Sequence, residues 1–149
     1  MNNIIPVSIV IFFKERTDHS VKLWCQTRQS QGTLHGLWEF PGGKIEAGEN
    51  PEQAALRELG EEVDPQLIEM TKLDQFKIHP YSYEGNNICL YIFLCSVKKD
   101  MEILDRKGKW FEFDFDKGSQ ALKGEIPPEN HRIIDELLEF LKVESYGIN

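Results

Sequence analysis

Three glutamates within five positions, Glu58, Glu61 and Glu62, constrain this chain more than any other feature of its sequence. On a helix each residue advances about 100° around the axis, so the three carboxylates would share one face. Like charges at i, i+3 and i+4 oppose helix formation, and the helix macrodipole disfavours negative charge near the C-terminal end. We interpret a segment that carries both penalties as one that keeps its acids for a cation.

The opposite side of the same helix argues against the alternative, a merely solvated acidic face. That side is small and apolar and consists of Ala55, Leu56, Leu59, Gly60 and Val63. It is suited to packing on a sheet. Ala54 falls among the acids and is expected to leave room above them. Such a helix offers the carboxylates that Mg²⁺ binds together with water and phosphate.

The segment before the helix is a glycine-rich loop that follows a short strand-like piece. Asn50 is suited to be the N-cap, Pro51 to be the first helical residue and Gln53 to complete a capping box. Gly42 and Gly43 allow backbone groups to approach a ligand closely. A glycine-rich loop that leads into a carboxylate helix is a stronger indication of a site than either feature alone.

These residues follow a known spacing. Gly43, Glu49 and the run Arg57-Glu58-Leu59-x-Glu61-Glu62 resemble the Nudix hydrolase signature, G-x5-E-x7-R-E-U-x-E-E-x-G-U, with U a bulky aliphatic residue. Seven of the nine specified positions match. Asp64 replaces a glycine and Pro65 an aliphatic residue, both at the helix exit.

The resemblance extends to the MutT type of Nudix enzyme. Glu39–Lys44 reads Glu-Phe-Pro-Gly-Gly-Lys, and Arg28 stands eleven residues before Glu39, where this type has a substrate-contacting arginine. The run from Pro127 to Asn130 is similar to the Pro-Pro-x-Asn at which MutT-type enzymes read an oxidised guanine. The resemblance therefore implies hydrolysis of a nucleoside triphosphate, with 8-oxo-dGTP as the first choice, to a monophosphate and pyrophosphate.

The resemblance also implies roles for individual residues. The metal, Mg²⁺ with Mn²⁺ as an alternative, is expected on Glu58, Glu61, Glu62 and a backbone carbonyl near Gly42. The catalytic candidates are Glu58, Glu61, Arg57 and Glu49, of which the last two are expected to pair and fix the loop against the helix. The candidates for substrate binding are Arg28, Phe40, Lys44, Tyr83 and Asn130.

Two features depart from the family pattern. Lys109 precedes Trp110, at a position where family members often carry a further carboxylate. Asp105 or Glu112 could supply that carboxylate instead, and Lys109 could itself contact a phosphate. The loop at residues 83–87 carries no basic residue, where the MutT type offers an arginine. Other nucleoside triphosphates, the 5′-triphosphate end of RNA and a nucleotide sensor that does not cleave its ligand therefore stay open as alternatives.

Length, charge and cysteine content limit the kinds of protein that this chain can be. A chain of 149 residues is expected to form one domain over residues 1–149, and no apolar run has the length of a membrane span. The formal charge of −8 argues against a stable nucleic-acid partner. We expect Cys25, Cys89 and Cys95 to be buried thiols in a reducing compartment, the cytoplasm. Nothing in the sequence indicates the oligomeric state.

Hydrophobic patterning predicts the fold class. Strands are expected at residues 4–13, 21–28, 72–79, 87–97 and 109–113, with 87–97 central because it is almost continuously apolar. Residues 114–125 are expected to form a loop and 128–142 an amphipathic helix. The apolar stripe of that helix is Ile133, Ile134, Leu137, Leu138 and Leu141. The expected fold is an α+β, Nudix-type α/β/α sandwich with a mixed sheet between helices.

Overall fold

The computed structural model of this chain describes residues 3–27, 36–99 and 101–147, with side chains to residue 142. Its strands are β1 (Ile4–Lys14), β2 (Ser20–Thr27), β3 (Trp38–Glu39), β4 (Gly42–Lys44), β5 (Asp74–Tyr83), β6 (Asn86–Ser96) and β7 (Lys109–Asp114). Its helices are α1 (Pro51–Glu62), α2 (Leu67–Met70), α3 (Glu102–Lys107) and α4 (Pro128–Gly147), and a 3-10 turn spans Gln120–Leu122.

The strands form one mixed sheet. Its order is β3-β2-β1-β6-β5, with β4 paired to β1 and β7 paired to β2. β1 and β6 run parallel, from Ile4 opposite Asn87 to Phe13 opposite Ser96, and the other pairs are antiparallel. β6 lies between β1 and β5, which confirms the central position expected from its apolar run.

Alternation along the strands creates an apolar layer on each face of the sheet. Ile9 and Ile11 of β1 belong to the layer beneath α4, and Val10 and Phe12 belong to the layer beneath α1. The predicted α4 stripe is buried, and its members are Ile133, Ile134, Leu137, Leu138 and Leu141. On the other face α1 buries Ala55 and Leu59, and its C-cap residue Val63 is buried beside them. The expected α/β/α sandwich is confirmed.

Several boundaries differ from those expected. β5 begins at Asp74 rather than residue 72 and continues to Tyr83, because its pairing with β6 extends to the hairpin at Asn86. The expected loop at residues 114–125 contains the 3-10 turn. Neither α2 nor α3 was expected, since segments of four and six residues carry too little periodicity to predict a helix. Arg28, the last residue of the second expected strand, lies outside the described residues.

Two expectations about burial are wrong. Ala54 does not leave open space among the acids but is fully buried, because α1 lies against β4 as well as β1. Cys25 and Cys95 are buried as expected, whereas Cys89 is only half-buried. Cys89 lies on β6, opposite Pro6 of β1 on one side and Pro80 of β5 on the other. It is near the start of β6, where the apolar layers bury the strand less than they do further along.

Local interactions set both ends of α1. The Asn50 side chain accepts a hydrogen bond from the Gln53 N–H at 2.8 Å, and the Gln53 side chain accepts one from the Asn50 N–H at 2.9 Å, which confirms the capping box. At the exit the Val63 and Asp64 N–H groups both donate to the Leu59 carbonyl. Asp64 then accepts a hydrogen bond from the Gln66 N–H at 2.8 Å.

In the part of the chain that the structure describes, no helix is both long and apolar enough to cross a membrane.

Replacing the N-cap should loosen the site helix. Asn50→Ala removes the acceptor of the Gln53 N–H and should lower the free energy of unfolding by about 1 kcal/mol, measured by urea denaturation. Asn50→Asp keeps an acceptor in the same place and is the matched control. Equal stability of the alanine and aspartate variants would contradict a contribution from this cap.

Candidate active site

Close backbone contact brings β4 against the acidic face of α1. β4 pairs with β1, with Ile9 opposite Gly42 and Val7 opposite Lys44. A Cβ atom built on Gly43 would lie 2.4 Å from the carboxyl carbon of Glu58, closer than real Cβ atoms come to other groups. A side chain at position 43 would therefore displace the Glu58 carboxylate from its place beside the strand.

Arg57 ties the loop to the helix. Its Nη2 donates to Glu49 at 2.8 Å and to the Lys44 carbonyl at 3.0 Å, and its Nε donates to Glu49 at 3.0 Å. The Glu49 side chain is only 15 % exposed, and it also accepts the Glu46 N–H at 2.8 Å. The hydrogen bonds from Arg57 hold the pKa of Glu49 below its usual value. The expected contact between Arg57 and Glu49 is therefore present.

The three signature glutamates lie in different surroundings. Glu58 is 16 % exposed and accepts from Arg57 Nη1 at 2.9 Å. Glu61 accepts from the same nitrogen at 3.2 Å but is 61 % exposed. Glu62 accepts a hydrogen bond from the Gly42 N–H at 2.9 Å. Arg57, the Gly42 N–H and the Gln26 side chain thus donate hydrogen bonds to these carboxylates.

The electrostatics of Glu62 indicate a place for added positive charge. Its pKa is raised to about 7, first because neighbouring atoms displace water from the carboxyl group and then because Glu58 and Glu39 repel its charge. The Gly42 N–H opposes this shift. Much of the residue is exposed, so solvent screening limits the energetic effect, and the upward direction is what matters.

The donor set fits a hard divalent cation. Carboxylate oxygens are the ligands that Mg²⁺ prefers, and two of the carboxylates are close enough for Glu58 to raise the pKa of Glu62. Among the described residues, however, no three His, Cys, Asp or Glu side chains already converge on one metal position. Gly42 is engaged through its N–H, so a role for a carbonyl near it stays a prediction.

A cavity of about 680 Å³ opens beside this acidic face. Its floor is mainly apolar and includes Val7, Ile9, Phe40, Ile88 and Leu90. Around the floor lie Gln26, Thr27, Glu39, Gly42, Gly43, Lys44, Glu62, Tyr81, Ser82, Tyr83, Pro127, Pro128, Glu129 and Asn130. An apolar chamber with a few polar groups at its wall is the usual form of a small-molecule site.

The cavity gathers most of the residues expected to bind substrate. Phe40, Lys44, Tyr83 and Asn130 all line it, although Phe40 is also a buried member of the core. Arg28 lies outside the described residues. Glu62 and Gly42 reach the cavity wall, so the acidic face and the chamber meet there.

Sequence reasoning missed other wall residues. Tyr81 was not singled out, although alternation in β5 places His79, Tyr81 and Tyr83 on one face. Glu129 stands inside the Pro-Pro-x-Asn run, at the position that this pattern leaves variable. Its partner, His79, is fifty residues distant along the chain, and no local pattern could pair the two.

Lys109 and the two acids that could replace a carboxylate at its position do not lie at the cavity. Lys109 is opposite Cys25 in the sheet, with its Nζ 5.0 Å from the centre of the Phe111 ring. Asp105 accepts the Trp110 indole N–H at 3.1 Å, and Glu112 accepts the Ser20 hydroxyl at 3.0 Å. None of the three is among the residues that line the cavity.

Comparisons with known proteins agree on the family. The NUDIX domain family model matches residues 4–142. The chain is 40 % identical over 81 residues to the 8-oxo-dGTP diphosphatase of Proteus vulgaris, spanning 54 % of this chain and 69 % of that protein. It is 36 % identical over 116 residues to the enzyme of the same name from Escherichia coli (strain K12), spanning 78 % and 85 %.

The chain is also similar to a relative with a different name and to a solved structure. The RNA pyrophosphohydrolase of Blochmanniella pennsylvanica is 32 % identical over 111 residues, spanning 64 % of this chain and 66 % of that protein. The solution structure of MutT, a Nudix hydrolase from methicillin-resistant Staphylococcus aureus 252, superposes with a TM-score of 0.61 at 22 % identity, covering 97 % of this chain and 99 % of that one. At 22 % identity, the similarity to this structure shows the fold alone.

The repulsion between carboxylates predicts a measurable titration. In metal-free protein the Glu62 carboxyl should titrate near pH 7 by carbon-13 NMR, and Glu58→Gln should lower that pKa because it removes a repelling charge. Because folding raises this pKa, Glu62 contributes stability at low pH that is lost as the pH rises from about 4.5 towards 7. Glu136→Gln, a change remote from this face, should leave the titration unchanged. An unaltered Glu62 pKa in Glu58→Gln would contradict the described electrostatics.

Proposed function

This chain belongs to the NUDIX domain family, and from that premise we propose that it is a metal-dependent nucleoside triphosphate pyrophosphohydrolase of the MutT type. The observation that carries the proposal is the junction of the α1 carboxylates with the cavity at Glu62 and Gly42. A phosphate chain that crosses this junction would lie against the acids while its nucleoside occupies the chamber. The products would be a nucleoside monophosphate and pyrophosphate.

Nudix hydrolases generally need divalent metal ions, and Mg²⁺, with Mn²⁺ as a substitute, is the ion proposed for this chain. The residues proposed to hold it are Glu58, Glu61, Glu62 and a backbone carbonyl near Gly42. When bound, such an ion neutralises phosphate charge and makes water a stronger nucleophile near neutral pH. Two carboxylates about 4 Å apart repel by a few kcal/mol at an effective dielectric constant near 20, so these acids favour a cation.

The residues around the acids would hold them in place. Arg57 binds Glu49 through Nε and Nη2, which leaves Nη1 as the nitrogen that contacts Glu58 and Glu61. Glu49 thereby anchors the guanidinium to the loop. We assign Arg57 and Glu49 a positioning role, in which they keep the acidic face of α1 at a fixed distance from β4.

The remaining candidates would bind the nucleotide. Lys44 is exposed at the cavity mouth beside Gly43 and is suited to contact phosphate. Phe40 and Tyr83 are proposed to flank the base, and Asn130 offers an amide at the cavity wall. Arg28 is proposed as a further contact on the grounds of its spacing from the Glu-Phe-Pro-Gly-Gly-Lys run.

The substrate we favour is 8-oxo-dGTP, so that the enzyme would remove oxidised guanine nucleotides from the precursor pool. Relatives named 8-oxo-dGTP diphosphatase support this choice. The 5′-triphosphate end of RNA is the second candidate, because a relative is named RNA pyrophosphohydrolase. We propose a cytoplasmic location, in keeping with free cysteines at positions 25, 89 and 95.

Loss of one signature carboxylate should abolish most turnover. Removal of a group that only supports a metal ligand commonly costs 10–100-fold, so Glu61→Gln should lower Mg²⁺-dependent kcat by at least about 100-fold. Pyrophosphate release would be measured with and without Mg²⁺. Glu52→Gln, an exposed change in the first turn of the same helix, is the control. Full Mg²⁺-dependent activity in Glu61→Gln would rule out the assigned site, and absence of any turnover in the unaltered protein would favour a nucleotide sensor.

The choice of 8-oxo-dGTP depends on the cavity wall. Asn130→Ala should lower kcat/KM for 8-oxo-dGTP by about tenfold, the value of one hydrogen bond, and should affect dGTP less. Asn86→Ala, at the exposed hairpin between β5 and β6, should change neither. Equal turnover of dGTP and 8-oxo-dGTP by the unaltered protein, or faster pyrophosphate release from triphosphorylated RNA, would reject this substrate.

A further inference from the structure

An ion pair between a buried histidine and a glutamate that lines the cavity has no part in the mechanism above. His79 of β5 is only 5 % exposed, and its Nε2 lies 2.5 Å from Oε2 of Glu129, in the first turn of α4. Arg132 is also close to Glu129, with its Nη1 4.0 Å from the same oxygen. Glu129 lines the cavity, and in the described part of the chain its second oxygen, Oε1, has no hydrogen bond.

Helix stabilisation alone does not explain this pair. An acid in the first turn of a helix interacts favourably with the macrodipole without any partner, so that role needs no buried histidine. A second pair, Lys77 with Glu136, also joins β5 to α4, yet it is more exposed and neither residue lines the cavity. The two elements are thus already linked outside the cavity, and the His79–Glu129 pair is the one that places a carboxylate at the chamber.

We propose that Glu129, oriented by His79, is a specificity residue that accepts hydrogen bonds from a base carrying two adjacent N–H donors. A guanine-type base has this arrangement in its ring amide N–H and its exocyclic amine. The inference rests on the proposed function in one respect, which is that the cavity takes the nucleoside of the substrate. An ionised carboxylate has only acceptors, so it matches such an edge and no edge that presents an acceptor to it.

The same chemistry disfavours other bases. Adenine and cytosine place a ring nitrogen acceptor beside the amine, and thymine has one N–H between two carbonyl oxygens. Hypoxanthine keeps the ring N–H of guanine but lacks the amine, which makes it the closest test of this contact. Oxidation at C8 leaves this edge unchanged. Glu129 therefore selects the class of base, and discrimination of the oxidised form falls to other wall groups such as Asn130.

His79 acts as a positioning residue. Its Nε2–H donates to Oε2 of Glu129 and holds the carboxylate in place, while Oε1 and the second lone pair of Oε2 stay available as acceptors. The imidazole is itself held against Tyr81, with ring centres 5.8 Å apart. A carboxylate that is already oriented loses little freedom when a base binds, so its hydrogen bonds contribute more fully to selectivity.

Binding of nucleoside monophosphates tests the inference without catalysis. Affinities for dGMP and dIMP would be measured by calorimetry on the full chain in the absence of metal. The unaltered protein should prefer dGMP by about 10- to 100-fold, the range for hydrogen bonds to a charged group. Glu129→Gln should bring the ratio close to one, because it replaces an acceptor with a donor, while the affinity for dIMP changes less. Glu136→Gln, the matched change in the other pair, should keep the preference.

The His79 variants separate positioning from packing. His79→Gln retains a donor towards Glu129 and should keep most of the preference for dGMP, whereas His79→Leu should lose it. Equal binding of dGMP and dIMP by the unaltered protein, or an unchanged ratio in Glu129→Gln, would overturn the inference. A loss as large in Glu136→Gln would also overturn it. Selective binding of dGMP without Mg²⁺-dependent pyrophosphate release would sustain the inference and reject the proposed function.

Discussion

The contact of Arg57 with the loop before its own helix is the interaction on which the rest of the site depends. One guanidinium joins Glu49, Glu58, Glu61 and the Lys44 carbonyl, so it links β4, the loop and α1. Without this positive charge the glutamates of α1 would repel one another at a helix end that already disfavours them. The planar, permanently charged fork of arginine suits several oxygen acceptors at once, which a lysine could not replace.

The sheet brings two chemically different regions together. Pairing of β4 with β1 holds Gly42 and Gly43 beneath the acids, while the pairing of β6 with β1 carries Leu90 into the cavity floor. The start of α4 closes the far wall with Glu129 and Asn130. A charged face for phosphates and an apolar chamber for a base therefore meet at the edge of one rigid sheet.

The parts of the structure that could be predicted from sequence are those whose causes are local. The capping box at Asn50 depends on residues three apart, and the acidic face of α1 follows from helical spacing. The small apolar side of α1 and the apolar stripe of α4 predicted helices packed on a sheet, and with them the sandwich. The metal ligation that these local patterns suggest stays a prediction; in the structure Arg57 donates to Glu58 and Glu61, and the Gly42 N–H donates to Glu62.

The parts that could not be predicted depend on contacts between distant segments. Burial of Ala54 follows from the approach of β4 to α1, and the half-buried position of Cys89 follows from where the layers end along β6. The pair of His79 and Glu129 joins positions fifty residues apart. In each case the residue type permits either outcome, and the packing of neighbouring elements decides between them.

The central claim is that the acidic face of α1 binds a divalent cation beneath a phosphate chain. Anomalous diffraction from crystals grown with Mn²⁺ and a non-hydrolysable triphosphate analogue tests it most directly. The account predicts an anomalous peak in contact with Glu58, Glu61 or Glu62 and with the phosphates, while Arg57 stays on Glu49. An acidic face without Mn²⁺, beside an ordered triphosphate, would contradict it.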